Sequence, residues 1–139
     1  MKLIGKKLLS VILIAFSGQL MAAGVGFPLD KAPVDLHDTE SLKRGAETFA
    51  NYCMGCHAAD YMRYNRIGRD LGMTDAEVSD KLISTRDAKG EKTKVGELMT
   101  VAMNKEYAQQ AFGTKIPGLT VIARARGADW LYTYLRTFY

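Results

Sequence analysis

Residues 41–57 read Ser-Leu-Lys-Arg-Gly-Ala-Glu-Thr-Phe-Ala-Asn-Tyr-Cys-Met-Gly-Cys-His, and this stretch decides the fold that we expect. Its apolar residues recur at helical spacing, at Leu42, Ala46, Phe49 and Cys53. The pattern predicts an amphipathic helix that leads directly into a pair of cysteines. Asp38 or Thr39 is a suitable N-cap for this helix.

Both cysteines of the chain belong to one C-x-x-C-H motif, formed by Cys53, Cys56 and His57. Two thiols one helical turn apart can each add to a vinyl group of the same porphyrin, and a histidine directly after the second cysteine is then placed to ligate the iron. The motif therefore predicts one covalently bound haem c. Cys53 and Cys56 would carry its thioether bonds, and His57 would be the metal ligand.

Three other interpretations of the cysteine pair are weaker. A structural zinc site usually needs four Cys or His ligands, and only His37 remains to join the motif. A thioredoxin-like redox pair belongs in a βαβ unit, which a helical chain lacks. A structural disulfide explains neither the adjacent histidine nor the helix that precedes the pair.

The sequence leaves the second axial ligand of the iron open. Methionine is a common partner of histidine in electron-transfer haems, where it raises the reduction potential. Met62 is too close to the motif to reach the opposite haem face easily, and Met73 can serve in helix packing. Met99 and Met103 lie 42 and 46 residues after His57, a spacing that suits either an axial ligand or the buried face of a helix.

The remaining segments predict a mostly α-helical domain with long irregular loops. Thr74 and Glu77 form a capping box, and Met73 and Val78 a hydrophobic staple, so that a helix should run from residue 74 to about 84. We expect further helices at 104–112 (closed by Gly113), at 120–126 and at 129–138, the last with a buried face of Leu131, Tyr134, Leu135 and Phe138. Residues 27–37, 60–72 and 85–97 should be irregular, residues 117–118 should form a turn, and no segment alternates as a β-strand does.

Length and composition limit the class of protein. The chain has 139 residues, which make one domain, and its 47% hydrophobic and 24% charged content excludes collagen-like and disordered chains. After residue 23 there are 16 basic and 15 acidic residues. A net charge of +1 without a basic run gives no support for nucleic-acid binding.

Residues 1–23 have the order of a secretory signal peptide. Three lysines precede an apolar run from Leu8 to Phe16, and small residues follow around Ala22 and Ala23. The alternative is an uncleaved anchor, because the 20 residues from Leu8 to Phe27 approach the length that crosses a bilayer. In either case we expect the haem domain, at residues 24–139, to lie outside the cytoplasm.

Arg124 and Arg126 are candidates for binding haem propionates. They precede Trp130, Tyr132 and Tyr134, and arginine binds carboxylates in a bidentate manner. A solvated helix with aromatic residues packed on the core explains the same pattern.

Several stretches of the chain resemble the cytochrome c1 family in its bacterial form. The resemblance runs from about Phe27 to Tyr139 and is carried by Pro28-Leu-Asp, Ser41-Leu-Lys-Arg-Gly-Ala, Asn51-Tyr-Cys-Met-Gly-Cys-His57, Tyr61-Met-Arg-Tyr-Asn-Arg66, Asp70-Leu-Gly-Met-Thr74, Met99-Thr-Val-Ala-Met103 and the segment from Ile122 to Arg136. It implies a cytochrome c-type haem domain with thioethers at the two cysteines and His57 as proximal ligand. It also implies that Arg126 binds a propionate and that Pro117 packs against the haem.

The same resemblance implies a function. Members of the family are the haem subunit of quinol–cytochrome c reductase, and are electron carriers rather than catalysts on their own. The chain would accept an electron from the Rieske iron–sulfur protein, assemble with the cytochrome b subunit and donate to cytochrome c, at the periplasmic face of the bacterial inner membrane. If the signal is cleaved and no complex forms, we expect a soluble periplasmic protein.

The sequence departs from the family pattern in two places. Gly118 stands in Ile116-Pro-Gly-Leu-Thr120 where the family commonly has aspartate, which we expect to loosen a turn in the haem wall. The axial methionine and the C-terminal membrane helix of the family would lie beyond Tyr139, so we interpret the chain as truncated relative to the family. Two further functions therefore stay open. One is a haem-binding module with an open sixth iron position, and the other is a free-standing monohaem cytochrome that uses Met99 or Met103.

Overall fold

The computed structural model of the protein describes residues 26–87, 89–101 and 103–138. The predicted signal peptide at 1–23 lies outside the described residues. The helices are α1 (Thr39–Thr48), α2 (Tyr64–Asp70), α3 (Asp75–Leu82), α4 (Lys105–Phe112), α5 (Ile122–Arg126) and α6 (Ala128–Arg136), and the strands are β1 (Ala59–Arg63) and β2 (Leu98–Met99). None of the described helices has both the length and the apolar character that a membrane crossing requires.

Helix α1 confirms the helix predicted to lead into the cysteines. The Asp38 carboxylate caps it by accepting a hydrogen bond from the backbone N–H of Ser41 at 2.9 Å. After Thr48 the helix widens into a π-helical turn, Phe49–Cys53, in which the N–H of Met54 donates to the carbonyl of Phe49 at 3.0 Å. Single π-helical turns often mark functional sites, and this one ends on the first cysteine of the motif.

The hydrophobic core lies directly beneath this turn. Its fully buried members are Tyr64, Val78, Leu82 and Met99, which come from α2, α3 and β2. Ala50 and Met54, on either side of Cys53, are buried in the same cluster. Because Ala50 and Met54 are packed in the core, the first cysteine of the motif is attached directly to the hydrophobic core.

The capping box at the start of α3 is confirmed. The backbone N–H of Glu77 donates to Oγ1 of Thr74 at 3.3 Å, and the backbone N–H of Thr74 donates to the Glu77 carboxylate at 2.8 Å. Met73 and Val78, the predicted staple residues, are both buried in the core. The helix ends at Leu82, slightly before the predicted end.

Residues 60–72 are not irregular, and here the prediction was wrong. They contain β1 and α2, and β1 pairs in an antiparallel manner with β2, with Ala59 opposite Met99 and an irregularity before Arg63. The expectation that no segment forms a β-strand was therefore wrong as well. A two-residue strand shows no alternation, and the partner of β1 lies some 35 residues away in the sequence, so neither strand has a local signal.

The predicted helices in the C-terminal part are present with small shifts. Asn104 caps α4 by accepting from the N–H groups of Glu106 and Tyr107, and Gly113 closes it at φ +70°. Helix α5 begins at Ile122 and ends at Gly127, whose φ of +88° strongly favours glycine. Residues 85–87 and 89–97 form a largely exposed loop, in which Arg86 and Lys92 make an isolated antiparallel bridge.

The buried face predicted for the last helix was wrong. Tyr134, Leu135 and Phe138 are 45, 70 and 71% exposed, and the buried residue of α6 is Thr133. The segment at 27–37 has no helix or strand, as predicted. It is hydrogen-bonded to Asp129 and Thr133 of α6, and its Phe27 and Leu29 line a pocket with Trp130 and Tyr134. Helical periodicity identified the apolar face correctly, but periodicity does not indicate which face the chain covers.

Candidate haem site

The motif forms a compact turn at the end of the π-helical turn. The backbone N–H groups of Cys56 and His57 both donate to the carbonyl of Cys53, at 3.1 and 2.8 Å. Both cysteines are half-buried, and their thiols are free rather than joined in a disulfide. The two thiols are therefore available to form bonds with another group.

The ring of His57 is oriented by a residue far away in the sequence. Its Nδ1 lies 2.9 Å from the carbonyl oxygen of Pro117. A carbonyl oxygen only accepts hydrogen bonds, so Nδ1 must carry the proton and donate it. The lone pair is then on Nε2, where a neutral imidazole binds a metal, and the bond to the carbonyl also fixes the orientation of the ring.

Two further hydrogen bonds join the residues around Pro117 to those after His57. The backbone N–H of Leu119 donates to the carbonyl of Ala58 at 2.7 Å, and the backbone N–H of Tyr61 donates to Oγ1 of Thr120 at 3.3 Å. We call residues 117–120 the histidine loop. Its attachment to residues 58–61 keeps the Pro117 carbonyl at the imidazole. The resemblance implied that Pro117 packs against the haem, and the contact observed here is the one that its carbonyl makes with His57.

A cavity of about 440 Å³ adjoins the second cysteine. Its wall includes Cys56, Asp60, Met103, Lys115 and Gly118. The volume lies within the usual range of small-molecule and cofactor sites. Cys53 and His57 do not line this cavity, so the residue of the motif that borders it is Cys56.

The candidate methionines differ in burial and in the part of the fold that they contact. Met99 is buried in the core on β2, whereas Met103 is half-buried on the cavity wall in a bend before α4. Met99 and Met103 therefore do not lie on one helical face, and the interpretation of their four-residue spacing as a buried helical face was wrong. Met73 is buried in the core, and Met62 packs against it. Among the described residues, Met103 is the one of these four methionines that lines the cavity.

Arg126 lies on the surface at the end of α5. Its guanidinium carbon is 5.1 Å from the ring centroid of Trp130, a cation–π geometry. Arg124 is also exposed, and neither arginine lines the cavity beside Cys56. The structure therefore brings Pro117 to the motif and places Arg126 beside Trp130, outside the lining of this cavity. The propionate role of Arg126 stays a prediction.

The donor set of the motif fits a covalent haem c. Two free thiols on one turn and an imidazole with an unprotonated Nε2 are the groups that this cofactor requires. A zinc site has no comparable support, since no three His, Cys, Asp or Glu side chains come together within the described residues. Asp60, which lies beside Gly118, and Thr120, the loop residue that accepts from Tyr61, form no recognisable motif, so sequence reasoning assigned neither a role.

Comparisons with known proteins agree with this geometry. Residues 29–139 match the sequence model of the Cytochrome C1 family. Over 139 residues the chain is 50% identical to a Nitrosomonas europaea protein named ammonia monooxygenase gamma subunit. This match covers 100% of this chain and 56% of that protein. The chain is also 43% identical over 134 residues to cytochrome c1 of Allochromatium vinosum, with 96% of this chain and 52% of that protein covered. The chain thus spans about half the length of the curated relatives it matches.

Proposed function

The chain belongs to the cytochrome c1 family, and on that premise we propose that it transfers electrons through one covalently bound haem c. In this proposal Cys53 and Cys56 hold the haem by thioether bonds, and His57 ligates its iron through Nε2. The bound haem supplies one-electron chemistry, because its iron alternates between the ferrous and the ferric state.

One observation carries the proposal, the hydrogen bond between Nδ1 of His57 and the carbonyl of Pro117 at 2.9 Å. It selects the tautomer that can ligate iron and holds the ring against rotation. A histidine next to a structural disulfide would need no such orientation.

The partners follow from the family and are part of the proposal. The chain would be the cytochrome c1 subunit of a quinol–cytochrome c reductase, receive electrons from the Rieske iron–sulfur protein, contact the cytochrome b subunit and pass electrons to cytochrome c. The support is the family match and the relative named cytochrome c1. The Nitrosomonas relative is named for a different enzyme, and no feature of the described residues favours that activity here.

We also propose that the domain is exported to the periplasmic side of the bacterial inner membrane. The lysine-rich and then apolar order of residues 1–23 supports this location. Covalent attachment supports it as well, since a loosely held haem could be lost outside the cytoplasm.

A second function is favoured by the burial of Met99. That side chain is 1% exposed in the core, so it cannot ligate iron without leaving its place. If no other residue takes the sixth position, the ferrous haem would bind a small ligand such as carbon monoxide. This function needs the same cysteines and the same histidine.

The test is to produce the full chain in a bacterium that attaches haem to exported proteins. We expect the denatured protein to keep its haem on a gel, and Cys53→Ser with Cys56→Ser to lose it. Single substitutions serve as matched controls, because each leaves one thioether. Haem that extracts from the unmodified chain into acidified butanone would contradict the proposal. Oxidation of the reduced protein by added cytochrome c then tests the acceptor.

A further inference from the structure

Gly118 lies at the centre of the contact between the histidine loop and residues 57–61. The preceding residue, Pro117, accepts from His57, and the following residue, Leu119, donates to Ala58. Any displacement of Gly118 would therefore move both hydrogen bonds.

Gly118 is needed for space. Its φ is outside the left-handed range, which in the described residues is adopted by Gly72, Gly90, Gly113 and Gly127. A β-carbon on Gly118 would lie 2.8 Å from Oδ2 of Asp60 and 3.6 Å from the carbonyl oxygen of Ala58. The first distance is closer than side-chain carbons come to neighbouring atoms, so any other residue would push the Asp60 carboxylate away.

The Asp60 carboxylate is a negative charge beside the motif. It lines the same cavity as Cys56, three residues after His57 in the sequence. Among the described residues it forms no salt bridge, although Lys105 and Lys115 line other parts of that cavity. Its charge is therefore not neutralised by a paired cation.

We propose that Asp60, given room by Gly118, lowers the reduction potential of the haem held by this motif. The oxidised iron carries one more positive charge than the reduced iron, so a nearby carboxylate stabilises the oxidised form. Asp60 is itself exposed, so solvent and salt screen part of this stabilisation. The inference rests on the proposed function, since it requires haem at Cys53, Cys56 and His57.

The first test is a redox titration of the haem-loaded full chain, followed by its absorption spectrum. We expect Asp60→Asn to raise the ratio of reduced to oxidised protein at a fixed ambient potential by roughly threefold or more. Asp75→Asn removes the same charge at the exposed start of α3, and should leave the ratio within about twofold. An unchanged ratio in Asp60→Asn, or an equal change in Asp75→Asn, would overturn the inference.

The second test asks whether Gly118 acts through Asp60. Gly118→Ala should shift the titration in the same direction as Asp60→Asn, because the new methyl group displaces the carboxylate. In an Asp60→Gly background the same substitution has nothing to displace and should cause no further shift. An equal shift in both backgrounds would show that Gly118 acts independently of Asp60. If Gly118→Ala does not fold, the redox titration of Asp60→Asn alone decides whether Asp60 lowers the reduction potential. Loss of haem from the unmodified chain on denaturation would instead defeat the proposed function.

Discussion

Met99 lies directly opposite Ala59 in the antiparallel pair of β1 and β2, and both side chains are buried. The pairing places Met99 in the core cluster with Tyr64 and Val78. A side chain in this position supports the strand that follows the haem motif. Its role is therefore to pack beneath the site rather than to ligate iron.

We predict that Met99→Ala destabilises the fold by about 2–5 kcal/mol, because it removes a fully buried side chain and leaves a cavity. The visible spectrum of the haem-loaded protein, with and without carbon monoxide, should stay the same. Denaturant unfolding and absorption spectra measure the two effects.

Met103→Ala is the matched control, since the same atoms are removed from a half-buried position on the cavity wall. We expect it to cost less stability than Met99→Ala. A methionine–iron charge-transfer band that disappears in Met99→Ala while the protein stays folded would show that our placement of Met99 is wrong.

The local parts of the site were predictable from sequence, and the long-range parts were not. Cys53, Cys56 and His57 are adjacent in the chain, so their spacing alone indicates haem attachment. The orientation of His57 depends on Pro117, which is 60 residues away, and no periodicity links the two. Gly118 was expected to loosen a turn, whereas the structure shows a close approach to Asp60 that only the fold creates.

The helices show the same division between local and tertiary causes. The cap at Thr74 and the termination at Gly113 depend on neighbouring residues, and both were predicted at the correct positions. Tyr134 is 45% exposed although it lines a pocket with Phe27 and Leu29 of the N-terminal segment. The hydrogen bonds that anchor this segment come from Asp129 and Thr133, which an apolar pattern does not include.

The crossing of α2 and α3 depends on the absence of a side chain at Gly68. A β-carbon there would collide with Cγ2 of Val78, a fully buried core residue. We predict that Gly68→Ala destabilises the protein by about 1–3 kcal/mol, since one of the two helices must shift. Adding Val78→Ala should make the effect of Gly68→Ala much smaller, and unfolding curves of the four proteins measure this coupling. If the stability loss of the double variant equalled the sum of the losses in Gly68→Ala and Val78→Ala, the predicted collision would be contradicted.

The capping box makes the stability of α3 depend on pH. The backbone N–H of Thr74, and then its hydroxyl, donate to the Glu77 carboxylate and lower the pKa of this group below its ordinary value of 4.5. A lowered pKa in the folded state means that the stabilisation is present above pH 4.5 and is lost as the pH falls through the folded value.

We therefore predict that Glu77→Gln reduces stability at neutral pH and has a smaller effect at acidic pH. Denaturant unfolding at several pH values measures the difference. Thr74→Ala should cost about 1 kcal/mol at neutral pH, whereas the control Thr74→Ser keeps the hydroxyl and most of the stability. A Glu77→Gln effect that is constant with pH would show that the carboxylate is not stabilised by these donors.

Two side chains of α6 anchor the backbone of the N-terminal segment, and Arg136 adds an ion pair to the Asp30 carboxylate at 3.0 Å. Thr133 Oγ1 accepts from the backbone N–H of Asp30 at 2.8 Å, and Asp129 Oδ1 accepts from that of Ala32 at 2.9 Å. Lys31 adds an exposed ion pair to Asp129. The hydrogen bond from Ala32, and then that from Lys31, lower the pKa of the Asp129 carboxyl. Both anchors are therefore polar groups of one helix face.

Thr133→Val should release this segment while leaving the helix in place. Valine has the shape of threonine but no acceptor, so the N–H of Asp30 would be left without its partner in a half-buried contact, at a cost of about 1–3 kcal/mol. A local cost of this size raises the open population of the segment by about 5- to 150-fold. Trypsin cleavage after the exposed Lys31, followed by mass spectrometry, should accelerate by the same factor. Thr137→Val is the control, because the Thr137 hydroxyl donates to the Thr133 carbonyl and not to the backbone of Asp30. Equal cleavage rates in the two variants would mean that the hydrogen bond to Asp30 does not hold the segment.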